Sequence, residues 1–145
     1  MNNKRILLVE DDYAIRKVLT RFLESEGYQV SSASTTWEAI DLVVTLKGFH
    51  LLVVDLQLPQ ELNLPTPQFL LELSRFLPAV PLIGMSTTAG LVTSHPQLKA
   101  VLQKPFQLAE LSATVKQVGN FRTGNLDWQH TAKIPSEIAG SYAGV

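Results

Sequence analysis

Three short runs in this chain are apolar at every position, and each stops at residues able to carry charge. Ile6-Leu7-Leu8-Val9 ends at Glu10-Asp11-Asp12, Leu51-Leu52-Val53-Val54 ends at Asp55, and Ala100-Val101-Leu102 ends at Gln103-Lys104-Pro105. A strand with one face in water alternates apolar and polar residues, whereas a strand apolar throughout must be covered on both faces. Such runs belong to a parallel sheet between two layers of helices. They predict that the first, third and fifth strands lie in the middle of it.

The segments between the runs supply the crossovers that parallel strands require. Ile15, Val18, Leu19, Phe22 and Leu23 recur at helical spacing, with Arg16, Lys17, Arg21 and Glu24 on the other side, and Gly27 ends the pattern. Tyr28 to Ala33 reads as a more mixed second strand. Thr35 followed by Glu38 is a capping-box pattern opening a second helix, with Trp37, Ile40 and Val44 on its apolar side and Gly48 at its close. Beyond Pro59 an irregular stretch containing Pro65 and Pro67 leads into a third helix with the stripe Phe69, Leu70, Leu73 and Phe76. Pro81 to Met85 is a fourth strand, stopped by Ser86-Thr87-Thr88. A short helical segment is expected near Leu91 to Pro96, and Leu108, Leu111, Val115 and Val118 mark a last helix that Gly119 stops. This alternation defines an α/β fold over residues 4–119. Residues 120–145, rich in Gly, Ser, Asn and Thr, form a C-terminal extension that composition alone reads as a tail.

In an open parallel sheet ligands bind beyond the C-terminal ends of the strands. Glu10, Asp11, Asp55 and Lys104 all fall at that edge, with Ser86 at the end of the fourth strand. Crowded carboxylates repel one another unless a cation joins them, and an all-oxygen donor set suits a hard ion such as Mg2+. A divalent ion and an ammonium together stabilise the charge of a transferring phosphoryl group, and a carboxylate can accept that group as an aspartyl phosphate. Each piece also has a plainer reading. The acids would suit a helix N-terminus, Asp55 a turn, Lys104-Pro105 a strand exit, and Ser86 a loop hydroxyl.

Composition narrows the field. At 46% apolar and 17% charged residues the chain is a globular type, and its net charge of −1 gives no basic field for nucleic acid or an anionic membrane. There is no cysteine, so disulfides, thiolate metal sites and a cysteine nucleophile are excluded. The first apolar run is too short for a signal peptide or a membrane span, and a cytoplasmic location is expected. No Gly-x-Gly-x-x-Gly follows the first strand, and His50, His95 and His130 lack ligand spacing.

The ordered set Ile6-Leu7-Leu8-Val9-Glu10-Asp11-Asp12, Val53-Val54-Asp55-Leu56-Gln57-Leu58-Pro59, Ser86 and Lys104-Pro105-Phe106 resembles the receiver domain of bacterial response regulators over residues 4 to about 119. The resemblance implies a doubly wound, flavodoxin-like sheet of five parallel strands. It implies that Asp55 takes a phosphoryl group from a histidine kinase or histidine phosphotransfer protein, and that a change of shape is passed to a downstream protein target. Asp11 would hold Mg2+, Glu10 would support it through water, and Asp55 with the backbone carbonyl of Gln57 would complete the protein ligands. Lys104 would pair with the phosphoryl group and Ser86, five residues on from Pro81, would supply the switch hydroxyl, although Thr88-Ala89 matches the family's hydroxyl-plus-alanine dipeptide better and stands as the alternative. The protein would be no enzyme beyond transfer to, and hydrolysis at, its own Asp55.

Four features depart from the family pattern. Val101 stands where the family usually has an aromatic switch residue. The stretch between Ser86 and Lys104 is short for a full helix, the loop Gln60-Glu61-Leu62-Asn63-Leu64-Pro65-Thr66-Pro67 lacks the usual Asp-Gly turn, and residues 120–145 are extra. They favour, as the alternative, a receiver-like interaction module that works without phosphorylation. A phosphate-ester hydrolase with an Asp nucleophile would need a second acid, and Asp55-Leu56-Gln57 lacks it. Leu91, Val92, Val101, Leu111 and Val115 offer a face for a homodimer, although core packing explains most of them.

Overall fold

The computed structural model describes residues 3–88 and 94–119. The expected short helix over 91–96 lies mostly outside these residues, as do Leu91 and Val92 of the dimer face and the whole 120–145 extension. The elements are β1 (Arg5–Val9), α1 (Tyr13–Ser25), β2 (Gln29–Ala33), α2 (Thr36–Leu46), β3 (Leu51–Asp55), a 3-10 turn (Gln60–Leu62), α3 (Thr66–Phe76), β4 (Leu82–Ser86), β5 (Leu98–Gln103) and α4 (Leu108–Gly119). The five strands form one sheet in the order β2-β1-β3-β4-β5, every neighbouring pair parallel.

Because side chains alternate across a strand, β1 and β3 feed two cores. Ile6, Leu8, Leu51 and Val53 pack with Leu19, Phe22 and Leu23 of α1 and Leu108, Leu111 and Val115 of α4. Leu7, Val9, Leu52 and Val54 pack with Ala39 and Val43 of α2 and Phe69, Leu70 and Leu73 of α3. On the first side a polar link joins the helices: Lys116 Nζ donates to Glu26 Oε1 (2.8 Å) and to Ser112 Oγ (2.6 Å), and Ser112 Oγ donates to Glu26. Among the described residues no helix is long and apolar enough to cross a membrane.

The central strands are β1, β3 and β4, so the expectation of a central fifth strand is corrected. β5 is an edge strand in which Val101 is 43% exposed. Among the described residues it has a neighbour on one side only, and a three-residue apolar run does not reveal that its side chains are largely uncovered. The apolar faces of α2 and α3 also sit differently. Thr36, Ala39 and Val43 point inward on α2, leaving Trp37 56% and Val44 45% exposed, and Phe76 at the end of α3 is 47% exposed. Thr36, Ala39 and Val43 share one helical face, so Trp37 and Val44, each one position further on, are turned away from it. The cap forms with a shifted return bond: Thr35 Oγ1 accepts from Glu38 N (3.1 Å), while Glu38 Oε1 reaches one residue beyond the N-cap and accepts from Ser34 N (2.7 Å). The loop after Pro59 leans on the same turn, with Asn63 Oδ1 accepting from Thr36 N (2.7 Å) and Thr36 Oγ1 from Leu64 N (3.0 Å).

Gly84 in β4 allows Leu56, the residue after Asp55, to lie directly against the strand. A Cβ at position 84 would stand 2.5 Å from Leu56 Cδ1. Gly84→Ala is expected to lower stability by about 1–3 kcal/mol through overpacking, read as a fall in the urea midpoint at unchanged slope.

Candidate functional site

Three strand ends deliver the charged side chains to one place. Glu10 follows β1 directly, and its N–H continues the ladder to Ala33 O (3.0 Å). Asp12 caps α1 by accepting from Ile15 N at Oδ1 (2.9 Å), which turns the chain and leaves Asp11 exposed beside Glu10. Asp55 is the last residue of β3, opposite Met85. Lys104 follows β5, where its N–H donates to Ser86 O (2.7 Å), and its peptide bond to Pro105 is cis.

The Lys104 ammonium lies between two carboxylates, donating to Glu10 Oε1 at 2.5 Å and to Asp55 Oδ2 at 3.5 Å. Glu10 Oε2 accepts from Asp12 N (3.1 Å), and Asp55 Oδ1 accepts from Gln57 N (2.8 Å). Arg16 donates to the backbone carbonyls of Glu10 (2.9 Å) and Asp11 (3.3 Å). One carboxylate oxygen from each of Glu10, Asp11 and Asp55 lies within 4.8 Å of the others. An open cavity of about 450 Å3 runs along this cluster, lined by Glu10, Asp11, Asp55, Thr87, Lys104 and Pro105 among others.

Glu10 is 1% exposed. Burial pushes its carboxyl up from 4.5 to about 7, against the hydrogen bonds from Lys104 and the Asp12 amide, and the charge of Asp55 adds to the rise. Burial alone would lower Lys104, but the hydrogen bond to Glu10 and the charges of Asp55 and Glu10 outweigh it and raise it above its ordinary value. The ammonium therefore stays charged. One cation faces three acids, an oxygen-only donor set whose excess negative charge fits a hard divalent ion.

The expected residues Glu10, Asp11, Asp55 and Lys104 thus come together. Ser86 is wholly buried at the end of β4, and its hydroxyl is engaged by Thr88: Oγ accepts from Thr88 N (3.0 Å) and donates to Thr88 O (3.4 Å). The sequence pattern points only to the backbone carbonyl of Gln57. Its side chain does more, crossing to the end of β4. Oε1 accepts from Thr87 N (2.6 Å) and Thr87 Oγ1 (2.8 Å), and Nε2 donates to Thr88 Oγ1 (2.6 Å). These partners lie 30 and 31 residues apart in sequence, and no local pattern announces such a contact.

The family model of the response regulator receiver domain matches residues 6–116, and the chain belongs to this family: it is a receiver domain of two-component response regulators. It is 32% identical over 121 residues to the transcriptional regulatory protein CrdR of Helicobacter pylori, covering 81% of this chain and 55% of that protein. It therefore spans about half the length of that curated relative. Among solved structures it resembles a CheY-like response regulator receiver domain protein of Methanospirillum hungatei (28% identity, TM-score 0.72, 82% of this chain and 95% of that one). It shares its fold with the response regulator TrrA of Thermotoga maritima, solved in complex with Mg2+ and BeF (23% identity, TM-score 0.68, 79% of this chain and 98% of that one). Receiver domains are generally signalling modules and not enzymes. They bind Mg2+ at an acidic pocket and interact with histidine kinases and phosphotransfer proteins.

The elevated Glu10 carboxyl has a consequence for stability. The folded chain holds a proton on Glu10 that the unfolded chain releases from about 4.5 upward, so this group favours folding below 4.5 and loses that contribution as pH rises to about 7. In chelator, stability is expected to fall by on the order of 3 kcal/mol across this interval from this group alone. Glu10→Gln should flatten the slope in denaturant melts taken at stepped pH.

Proposed function

We propose that Asp55 is the phosphoacceptor, receiving its group from a histidine kinase or histidine phosphotransfer protein, and that the change is passed to a downstream protein target in the cytoplasm. The observation that carries this reading is the Lys104 ammonium set beside the Asp55 carboxylate, within a cavity that also exposes Asp11. One Asp55 oxygen attacks the phosphorus of the donor phosphohistidine, the P–N bond breaks, and its electron pair returns to the imidazole. An acyl phosphate remains on Asp55. Lys104 offsets the growing charge on the phosphoryl oxygens, a role that removes several kcal/mol from comparable barriers. Water attack at the same phosphorus returns Asp55 and inorganic phosphate, so the protein acts only on itself.

Asp11, Asp55 and the carbonyl of Gln57 are the residues we assign to hold Mg2+. Glu10 stands behind them through water, because both its oxygens are engaged by Lys104 and the Asp12 amide. When bound, the ion supplies positive charge opposite the phosphoryl oxygens. The TrrA complex with Mg2+ and BeF supports the choice of ion. Ser86 is assigned as the hydroxyl that meets the phosphoryl group once it leaves Thr88.

A second reading, a receiver that binds its partner without phosphorylation, is favoured by Val101. It is exposed on β5 and has no ring to swing between buried and open positions. Homodimerisation through this side of the molecule is one form such an output would take.

Incubating the full chain with a small-molecule phosphodonor and Mg2+ is expected to add one phosphate by intact-mass spectrometry. Asp55→Asn abolishes the addition, and Lys104→Met slows it by about a hundredfold. Uptake that persists in Asp55→Asn contradicts the assignment, and absence of uptake in the native chain with partner binding intact favours the second reading.

A further inference from the structure

The Gln57 side chain is the longest-range polar contact at the site edge that phosphoacceptor chemistry does not use. Its orientation is unambiguous, because the Thr87 backbone N–H can only donate and must therefore face Oε1. The amide nitrogen then points to Thr88 Oγ1. Thr88 in turn holds the Ser86 hydroxyl from both sides, its N–H donating to Oγ and its carbonyl accepting from it. At its other end Gln57 is tied to the acceptor, since its own N–H donates to Asp55 Oδ1. Hydrogen bonds thus link the acceptor carboxylate, through Gln57 and then Thr88, to the hydroxyl at the end of β4.

We propose that Gln57 is a latch: its side chain fixes Thr87 and Thr88 so that the Ser86 hydroxyl stays turned onto Thr88, and a phosphoryl group at Asp55 opens the latch. Gln57 is a positioning residue that acts through Thr88 on Ser86. Its peptide N–H contacts the oxygen-bearing group that phosphorylation changes, so a group arriving at Asp55 acts first on this residue. Opening frees the Ser86 hydroxyl to turn toward the new oxygens and releases Thr87, which already lines the cavity. The device places the two states at Thr87 and Thr88, just after β4, in a chain whose β5 carries Val101 and so no aromatic switch. It follows that the resting chain binds an acyl-phosphate mimic more weakly than an unlatched chain, because only the open fraction is competent.

The inference rests on Asp55 as acceptor, so the test carries its own control. Affinity for beryllofluoride in saturating Mg2+ is measured on the full chain and on Asp55→Asn, Gln57→Met, Thr88→Val and the Gln57→Met/Thr88→Val pair. Native binding that is lost in Asp55→Asn upholds the acceptor reading, and its absence sinks both claims. Given native binding, the latch predicts that Gln57→Met and Thr88→Val each tighten it by about twofold to tenfold, the range one net hydrogen bond spans. The pair should gain no more than Gln57→Met alone, since both remove the same bond. Hydrogen exchange adds a readout that a bracing role would not move: the Thr87 amide, protected in the free native chain, should exchange faster with beryllofluoride bound. Unchanged or weaker binding in both single variants, or a Thr87 amide that stays protected, overturns the latch while leaving Asp55 in place.

Discussion

The structure turns on one ammonium held between carboxylates from different strands. Lys104 arrives from the edge strand β5, Glu10 from β1 and Asp55 from β3, and the bonds at 2.5 and 3.5 Å join these strand ends across β4 and, for Glu10, across β3 as well. Glu10 is almost wholly buried and would be costly as an unpaired anion. The lysine lowers that cost without cancelling it, as the raised Glu10 carboxyl records. The pocket is therefore stable enough to form and still carries surplus negative charge. A carboxylate cluster left in this condition favours a divalent cation.

How much of this the sequence discloses depends on the range of the interactions. Ile6 to Val9 and Leu51 to Val54 announce buried central strands because burial on both faces leaves no position for a polar residue. The acids that stop them mark the functional edge for the same reason. The Thr35 and Glu38 cap is local and equally legible. Ala100-Val101-Leu102 looked central and is not: an apolar run of that length cannot tell a strand with two neighbours from one with a single neighbour. On α2 two stripes share the same helical spacing, Trp37-Ile40-Val44 and Thr36-Ala39-Val43, and periodicity alone does not say that the second one faces the sheet.

The same limit explains the site. Glu10, Asp11, Asp55 and Lys104 were readable because the topology of a parallel sheet brings strand ends together whatever the loops do. Gln57 was readable only as a backbone carbonyl in a familiar pattern. Its side-chain bonds to Thr87 and Thr88 depend on the relative height of two strand exits, which periodicity does not encode. Leu56 packs over Gly84 with no room for a Cβ, so a glycine with no polar role bears on the loop that follows Asp55.

The central claim is that the three carboxylates form one cation site. Thermal melting of the full chain across a Mg2+ titration tests it most directly, because an ion bound only by the folded state stabilises by mass action. The account predicts a melting temperature that climbs with Mg2+ in the native chain and hardly moves in Asp11→Asn. Equal responses in the two proteins, or none in the native chain, would contradict it.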